Sequence, residues 1–273
     1  MITNSKSFLN KQYGDSSNLD IRIRLHEMYS TNSADWHEWV FDHIAFGETS
    51  RIVEFGCGSG ALWGKNKSRM NGGWKLLLTD MSEGMLQKAQ ATVGEADQDR
   101  LTYRIADIQH TQLESSVYDI AIANHMLYHV PEIGKALTEV RRILKPSGSF
   151  YAATNGHRHM IELYDLVREF DSSLASAKPE NAIAFGMENG GALLQSHFGQ
   201  VRLLPFQSDL HVTSASDLAA YMFSVGSHLR EAIERDGRLS NFLEFLETKK
   251  SDQGYIHITK QTGLFICTQP KSV

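Results

Sequence analysis

Cysteine and proline are scarce in this 273-residue chain, which has two of the first and five of the second. Cys57 and Cys267 are too few for a disulfide framework and too far apart for a CxxC metal or redox motif. The prolines are scattered, so no Pro-rich linker marks a domain boundary, and the sequence has no internal repeat or low-complexity tract. Long apolar runs are missing as well. The best candidates are short stretches such as 117–123, interrupted by Asp119, where a membrane span needs roughly 18 residues. The opening residues, MITNSKSFLNKQYGD, lack the apolar centre of a secretory signal. Nor is there an excess of positive charge: 27 Lys+Arg stand against 32 Asp+Glu, a formal net charge of −5. The basic clusters Lys65/Lys67/Arg69 and Arg141/Arg142/Lys145 read as solvated helix faces, and a large nucleic-acid groove is disfavoured. What is present is a chain with 41% hydrophobic and 22% charged residues, long enough to bury a large core in one domain, with or without a cap. A cytoplasmic protein with no membrane partner is expected.

Periodicity supplies the organisation. Between about Asn18 and Ile44, Leu19, Ile21, Leu25, Met28, Trp36, Trp39 and Val40 predict one or two helices broken at Ser30–Ser33, an N-terminal helical cap over residues 1–50. The period then changes. Arg51–Phe55 is a short β-rich run that ends in glycines, and Ala61-Leu62-Trp63 begins a helix. Strand-like Trp74–Thr79, a helix over Ser82–Thr92, and strands Leu101–Ala106 and Tyr118–Ala123 follow. Pro131 opens a helix whose Ile133, Ala136, Leu137, Val140, Ile143 and Leu144 share one face. Lys145-Pro146-Ser147-Gly148 should stop that helix before strand Ser149–Thr154. Alternation of this kind predicts an α/β fold with a parallel sheet, its core spanning residues 51–154.

Residues 155–273 read as the remainder of the same sheet with helical insertions. Arg158–Phe170 and Met187–Phe198 look helical. Val201–Val212 is a β run whose Pro205 makes it an edge or broken strand. Ser214–Glu247 fits two helices broken near Gly237, and Tyr255–Thr268 reads as a hairpin turning at its glycine, an antiparallel edge to a mostly parallel sheet.

The segment Val53–Gly60 (VEFGCGSG) places glycines 56, 58 and 60 between a strand and a helix start. Glycine there permits a tight turn and the close approach of a nucleoside cofactor above the first strand's carboxyl end. A plain chain reversal, or a dinucleotide site satisfying GxGxxG/A through Gly56, Gly58 and Ala61, fits the same pattern. Asp80 closes the second strand and Asp107 follows the third. A carboxylate at the first position can accept from ribose hydroxyls, and one at the second from the exocyclic amine of adenine; capping a helix is the other common use of either.

Taken in order, VEFGCGSG, Asp80, Ile105–Ile108 (IADI), Tyr118–Val130 (YDIAIANHMLYHV) and Leu144–Ser149 (LKPSGS) resemble the class I S-adenosylmethionine-dependent methyltransferases over about Arg51–Thr154. A weaker likeness, in Phe185–Gly191 and the terminal β region, is to small-molecule members related to the ubiquinone and menaquinone methyltransferases. The resemblance implies a Rossmann-like seven-stranded sheet and S-adenosylmethionine as cofactor, with S-adenosylhomocysteine as product. It further implies that Gly56, Cys57 and Gly58 pack against the cofactor, that Glu54 orients its amino end, and that Asp80 holds the ribose. Met81 and Ile108 would sandwich the adenine, Asp107 would meet its amine, and Asn124 with His125 would line the site. No metal is implied. The motif departs from the family's commoner pattern in having Lys-Pro-Ser-Gly for Lys-Pro-Gly-Gly.

Methyl transfer asks mainly for an aligned nucleophile, and a weakly nucleophilic acceptor also needs a base. His125, His129 and His157 are the candidates, with His125 and His129 carried forward and packing as the competing role of His129. Tyr13, Tyr29, Trp36 and Trp39 fit either a substrate lid or core packing, and the helical additions fit a lid that excludes water. A small organic acceptor is expected. RNA or protein methylation and a non-catalytic cofactor-binding regulator are the alternatives, and a nicotinamide dehydrogenase leaves Asp107 and Asn124 without a role.

Overall fold

The computed structural model describes residues 16–95, 97, 100–174 and 184–271; Tyr13 lies outside them. Seven strands form one sheet in the order β3-β2-β1-β4-β5-β7-β6. They are β1 (Arg51–Phe55), β2 (Lys75–Asp80), β3 (Leu101–Ile105), β4 (Tyr118–Asn124), β5 (Leu144–Asn155), β6 (Phe198–Val212) and β7 (Ile256–Pro270). The β1–β2, β2–β3, β1–β4 and β4–β5 pairs are parallel, and β7 runs antiparallel to β5. The helices are α1 (Ser16–Tyr29), α2 (Trp36–Asp42), α3 (Ala61–Lys65), α4 (Glu83–Val93), α5 (Ile133–Ile143), α6 (Ile161–Phe170), α7 (Gly190–Gln195), α8 (Ala215–Val225), α9 (Ser227–Arg235) and α10 (Leu239–Thr248).

The described residues divide into two compact units, and the long strands β6 and β7 contribute to both. The first unit holds residues 34–156, 184–206 and 262–271. Two apolar clusters cover its sheet. One packs Ala136, Leu137, Val140 and Ile143, the buried stripe of α5, with Phe55, Ala121, Phe150 and Phe198. The other packs Trp63, Trp74, Leu86 and Ala89 with Ile52, Leu78, Ile120 and Tyr151. Parallel strands covered on both faces need near-continuous apolar runs, and Ile52–Phe55 and Ile120–Ala123 are buried throughout. Asp35 caps α2, its carboxylate accepting from His37 N at 2.8 Å and Glu38 N at 3.1 Å, and Ser82 caps α4 through Met85 N.

The second unit holds residues 16–33, 157–174 and 207–261. Its own core gathers Leu25, Leu166, Leu218, Met222, Ile233, Phe242 and Leu246 from α1, α6, α8, α9 and α10. Tyr29 donates its hydroxyl to Asp217 at 2.6 Å, and Arg238 reaches Asp171 at 2.6 Å, joining α1 to α8 and the end of α6 to the start of α10.

Three local expectations need correction. Tyr255–Thr268 does not turn at its glycine: β7 is one continuous strand through Gly263. A Cβ at Gly263 would stand 2.9 Å from the Leu204 carbonyl oxygen, so this glycine serves the close approach of a neighbouring strand. Leu144 leaves the helix and starts β5, and Lys145–Gly148 is accommodated by a register shift against Tyr118 and Ile120. Ser214–Glu247 forms three helices, broken at Gly226 as well as near Gly237, whose φ is +64°. Pro205 lies in β6, at the sheet edge, as its missing N–H requires.

Gly60 ends the glycine turn at φ +74°, and a Cβ there would lie 2.8 Å from Val93 Cγ2 and 3.2 Å from Ala89 Cα. Gly60→Ala is therefore expected to lower stability by about 1–3 kcal/mol, through backbone strain and overpacking against α4. A urea midpoint equal to that of the unchanged protein would refute this.

Candidate active site at the carboxyl ends of β1 and β4

The strand order reverses between β1 and β4, since β1 connects outward to β2 while β4 lies on its other side. Open α/β sheets bind ligands outside the strand carboxyl ends at such a reversal. Five of the nominated residues follow directly from β1 and β4: Gly56, Cys57 and Gly58 after the first, Asn124 and His125 at the end of the second.

Glu54, the penultimate residue of β1, is 2% exposed. Trp63 Nε1 of α3 donates to its Oε2 at 2.6 Å, and Asn124 Nδ2 of β4 donates to its Oε1 at 3.3 Å. The side-chain oxygen of Asn124 is itself buried and lacks a hydrogen-bond partner among the described residues. Such a group costs about 1–3 kcal/mol until a donor reaches it.

The turn above these side chains is left-handed at Gly56, Gly58 and Gly60. A Cβ at Gly56 would come within 2.9 Å of Met126 Cβ, whereas at Gly58 it would meet nothing among the described residues within 4 Å. Asp80 closes the turn from β2: its Oδ2 accepts from Gly58 N at 3.0 Å and its Oδ1 from Ser82 N at 2.9 Å. Burial pushes the Asp80 carboxyl up, against the amides of Ser82, Gly58 and Met81 that favour its charge. Cys57 is buried in the turn, where burial and then the fields of Glu54 and Asp80 hold its thiol well above the ordinary range. It is not a nucleophile.

Met81 is 49% exposed immediately beyond Asp80. The register pairs Asp80 with Ile105, so residues 106–108 leave β3 level with it. The carboxylate of Asp107 is engaged by Gln109, through the backbone N at 2.9 Å and the side-chain amide at 3.1 Å. Ile108 is 3% exposed and belongs to the core beneath.

His125 has φ +51°, a backbone region that non-glycine residues enter at a cost and that clusters at functional sites. Its N–H donates to Ala153 O at 3.0 Å, and its ring centroid lies 5.2 Å from that of Trp36. Trp36 also packs on Trp39 and Phe206, so an aromatic wall adjoins the histidine. Trp36 was a lid or core candidate, but periodicity signals neither its contact with His125 nor the Trp63 bond to Glu54. His129 ends a tight turn at 127–129, and burial lowers its pKa to about 4. His157 is exposed and belongs to the other unit. Among the described residues no three His, Cys, Asp or Glu side chains converge to hold a metal, and no helix is long and apolar enough to cross a membrane.

These groups suit S-adenosylmethionine. The unpartnered oxygen of Asn124 and the buried Glu54 offer acceptors to an ammonium, the open face of Gly58 leaves room for a ligand against the backbone, and Asp80 presents a carboxylate flanked by the apolar Met81.

Burial, opposed by the Trp63 and Asn124 hydrogen bonds and aided by the Asp80 charge, pushes the Glu54 pKa from 4.5 to about 8. The folded state then holds a proton that the unfolded chain releases above 4.5, so the ligand-free protein should lose stability as pH rises from about 4.5 to about 8. The slope from this one group is at most about 1.4 kcal/mol per pH unit. Glu54→Gln should remove that component in denaturant titrations across the range, and an unchanged pH dependence would sink the assignment.

A methyltransferase domain family matches residues 53–152. The malonyl-[acyl-carrier protein] O-methyltransferase of Erwinia pyrifoliae is 31% identical over 117 residues, 43% of this chain and 42% of that protein. The demethylmenaquinone methyltransferase of Symbiobacterium thermophilum is 24% identical over 123 residues, 44% of this chain and 49% of that protein. The chain spans about half the length, or less, of the curated relatives it matches. Among solved structures, Haemonchus contortus phosphoethanolamine N-methyltransferase 2 with S-adenosyl-L-methionine aligns over 97% of this chain and 60% of that one, at 16% identity and a TM-score of 0.57. The matched domain lies over the glycine turn, Asp80 and the β1–β4 reversal, so residues 53–152 are similar to methyltransferase domains in the part of the fold that builds the site.

Proposed function

We propose that the protein transfers a methyl group from S-adenosylmethionine to a small organic acceptor, with His125 as the base that takes the acceptor's proton. The observation that carries this reading is the left-handed backbone of His125 at the carboxyl end of β4, beside Asn124, where the sheet order reverses. The cofactor, when bound, supplies a methyl group already activated for direct displacement. Glu54 and Asn124 hold its amino end, Gly56, Cys57 and Gly58 admit it against the backbone, and Asp80 accepts from the ribose. Met81 flanks the adenine and Asp107 meets its amine, while Ile108 packs in the core beneath them instead of facing the ring. The protein's remaining task is to align the acceptor, which supplies much of the acceleration in such a displacement.

A base works best with a pKa near the operating pH. His129, held at about 4 by burial, is too weak a base to take a proton near neutrality, which favours His125 of the two. A small acceptor is supported by the demethylmenaquinone methyltransferase among the relatives and by the net charge of −5, which does not favour a polyanionic acceptor.

Calorimetric titration with S-adenosylmethionine and S-adenosylhomocysteine, with NAD as control, tests the cofactor. Binding of the first two alone is expected, and binding of neither by folded protein would overturn the reading. Asp80→Ala should weaken either ligand by about 1.5–3 kcal/mol, the loss of hydrogen bonds to a charged group. Methyl release from labelled cofactor over a panel of phenols, amines, thiols and activated carbon acids then tests transfer. His125→Ala should lower turnover while leaving cofactor affinity in place; equal kinetics in the two proteins would reduce the histidine to packing.

A further inference from the structure

We infer that binding of S-adenosylmethionine expels a proton from Glu54, so that the protein's hold on the cofactor tightens as pH rises. This rests on the reading of the β1–β4 reversal as the cofactor's site. The Glu54 side chain is 2% exposed, and both of its hydrogen-bond donors are neutral: the Trp63 indole on Oε2 at 2.6 Å and the Asn124 amide on Oε1 at 3.3 Å. Among the described residues no cation pairs with it. An ionised carboxylate in such a place would lose its hydration and gain no countercharge, so the group takes up a proton instead.

The charged and titratable groups around it do not supply that countercharge. β2 brings Asp80, a second acid whose charge raises the Glu54 pKa further, and the turn brings the buried thiol of Cys57. α3 presents the neutral indole of Trp63. β4 brings Asn124 and, just past it, His125, whose ring lies against Trp36 with Nε2 3.4 Å from Thr262 Oγ1. With these neighbours the carboxyl reaches a pKa of about 8, so in the ligand-free protein it is protonated at neutral pH.

Asn124 completes the geometry. Its Nδ2 is committed to Glu54, and its Oδ1 is buried with no partner among the described residues. An acceptor left in that state calls for a donor, and an ammonium donates without accepting. One amide group separates this oxygen from the Glu54 carboxyl. An ammonium that satisfies Asn124 therefore brings a full positive charge close to the acid, and an opposite charge within about 4–6 Å favours the ionised form. The Glu54 O–H bond then breaks, its electron pair stays on the carboxylate, and the proton passes to the buffer. Cofactor and proton thus compete for one acid.

Calorimetric titration of the unaltered protein in two buffers of different ionisation enthalpy counts the protons moved on binding. At about pH 6.5 the cofactor's own α-amino group, with an ordinary pKa of about 7.7–8.0, stays charged and adds little to the count. Release of about one proton per S-adenosylmethionine is expected, with Kd falling roughly tenfold from about pH 6 to about pH 7. Binding with no proton released and a flat Kd over that range would overturn the inference while leaving the cofactor reading in place. Absence of binding by folded protein at either pH would overturn the cofactor reading itself, and the inference with it. The two failures are therefore distinguishable.

Glu54→Gln assigns the proton. Its count should drop to near zero, and full release surviving in this variant would overturn the inference by moving the source to Asp80 or His125. A second readout needs no variant. Infrared difference spectra of the unaltered protein, bound minus free, should lose a protonated-carboxyl stretch and gain a carboxylate band. An unchanged carboxyl region would overturn the inference however the variant folds.

Discussion

The site depends on a carboxyl group placed where water does not reach it. Glu54 is tied to α3 through the Trp63 indole and to β4 through the Asn124 amide. Those two bonds span the whole of the glycine turn, from the strand before it to the helix after it and the strand beside it. The turn is thereby pinned at its floor, and Asp80 pins it again from β2 by accepting from Gly58 N. A loop of three glycines would otherwise be among the most mobile parts of the chain, since each glycine gains the most backbone freedom on release. Two acids, one beneath and one beside, convert it into a fixed cradle.

That arrangement has an electrostatic cost, and the protein carries it in the protonation of Glu54 and in the raised carboxyl of Asp80. Both shifts have burial as their leading cause, and the Asp80 charge adds to that of Glu54 only secondarily. A cationic ligand would relieve both at once. An anionic one would add to the strain, so the two buried acids suit the proposed ammonium-bearing cofactor better than a pyrophosphate.

Much of the first unit was legible because β1, β2 and β4 are short apolar runs and two helices follow a recognisable start, Ser82 before α4 and Pro131 before α5. The parallel order was legible because strands and helices alternate. The misreadings share one cause, that local signals lack their context. Gly263 looks like a turn residue, yet it is a flat strand position against which Leu204 packs. Lys145–Gly148 looks like a helix stop followed by a loop, yet the register shift against β4 absorbs it within β5. Of the site, Asp80 and the glycines were readable from spacing after a strand. The Trp63 bond to Glu54 joins residues nine apart across a turn, and Thr262 meets His125 across 137 residues, so periodicity carries no trace of either.

Cys57 shows what such a floor does to a bystander. Under the proposed function, a thiolate in the glycine turn would be a better nucleophile toward the activated methyl group than most acceptors, and each encounter would risk permanent S-methylation of the protein itself. Burial and the two neighbouring acids keep its proton in place. Burial first, and the neighbouring acids second, thus protect the turn from self-alkylation, and the chain can keep a small, well-packing sulfur at a position where a reactive one would end its working life.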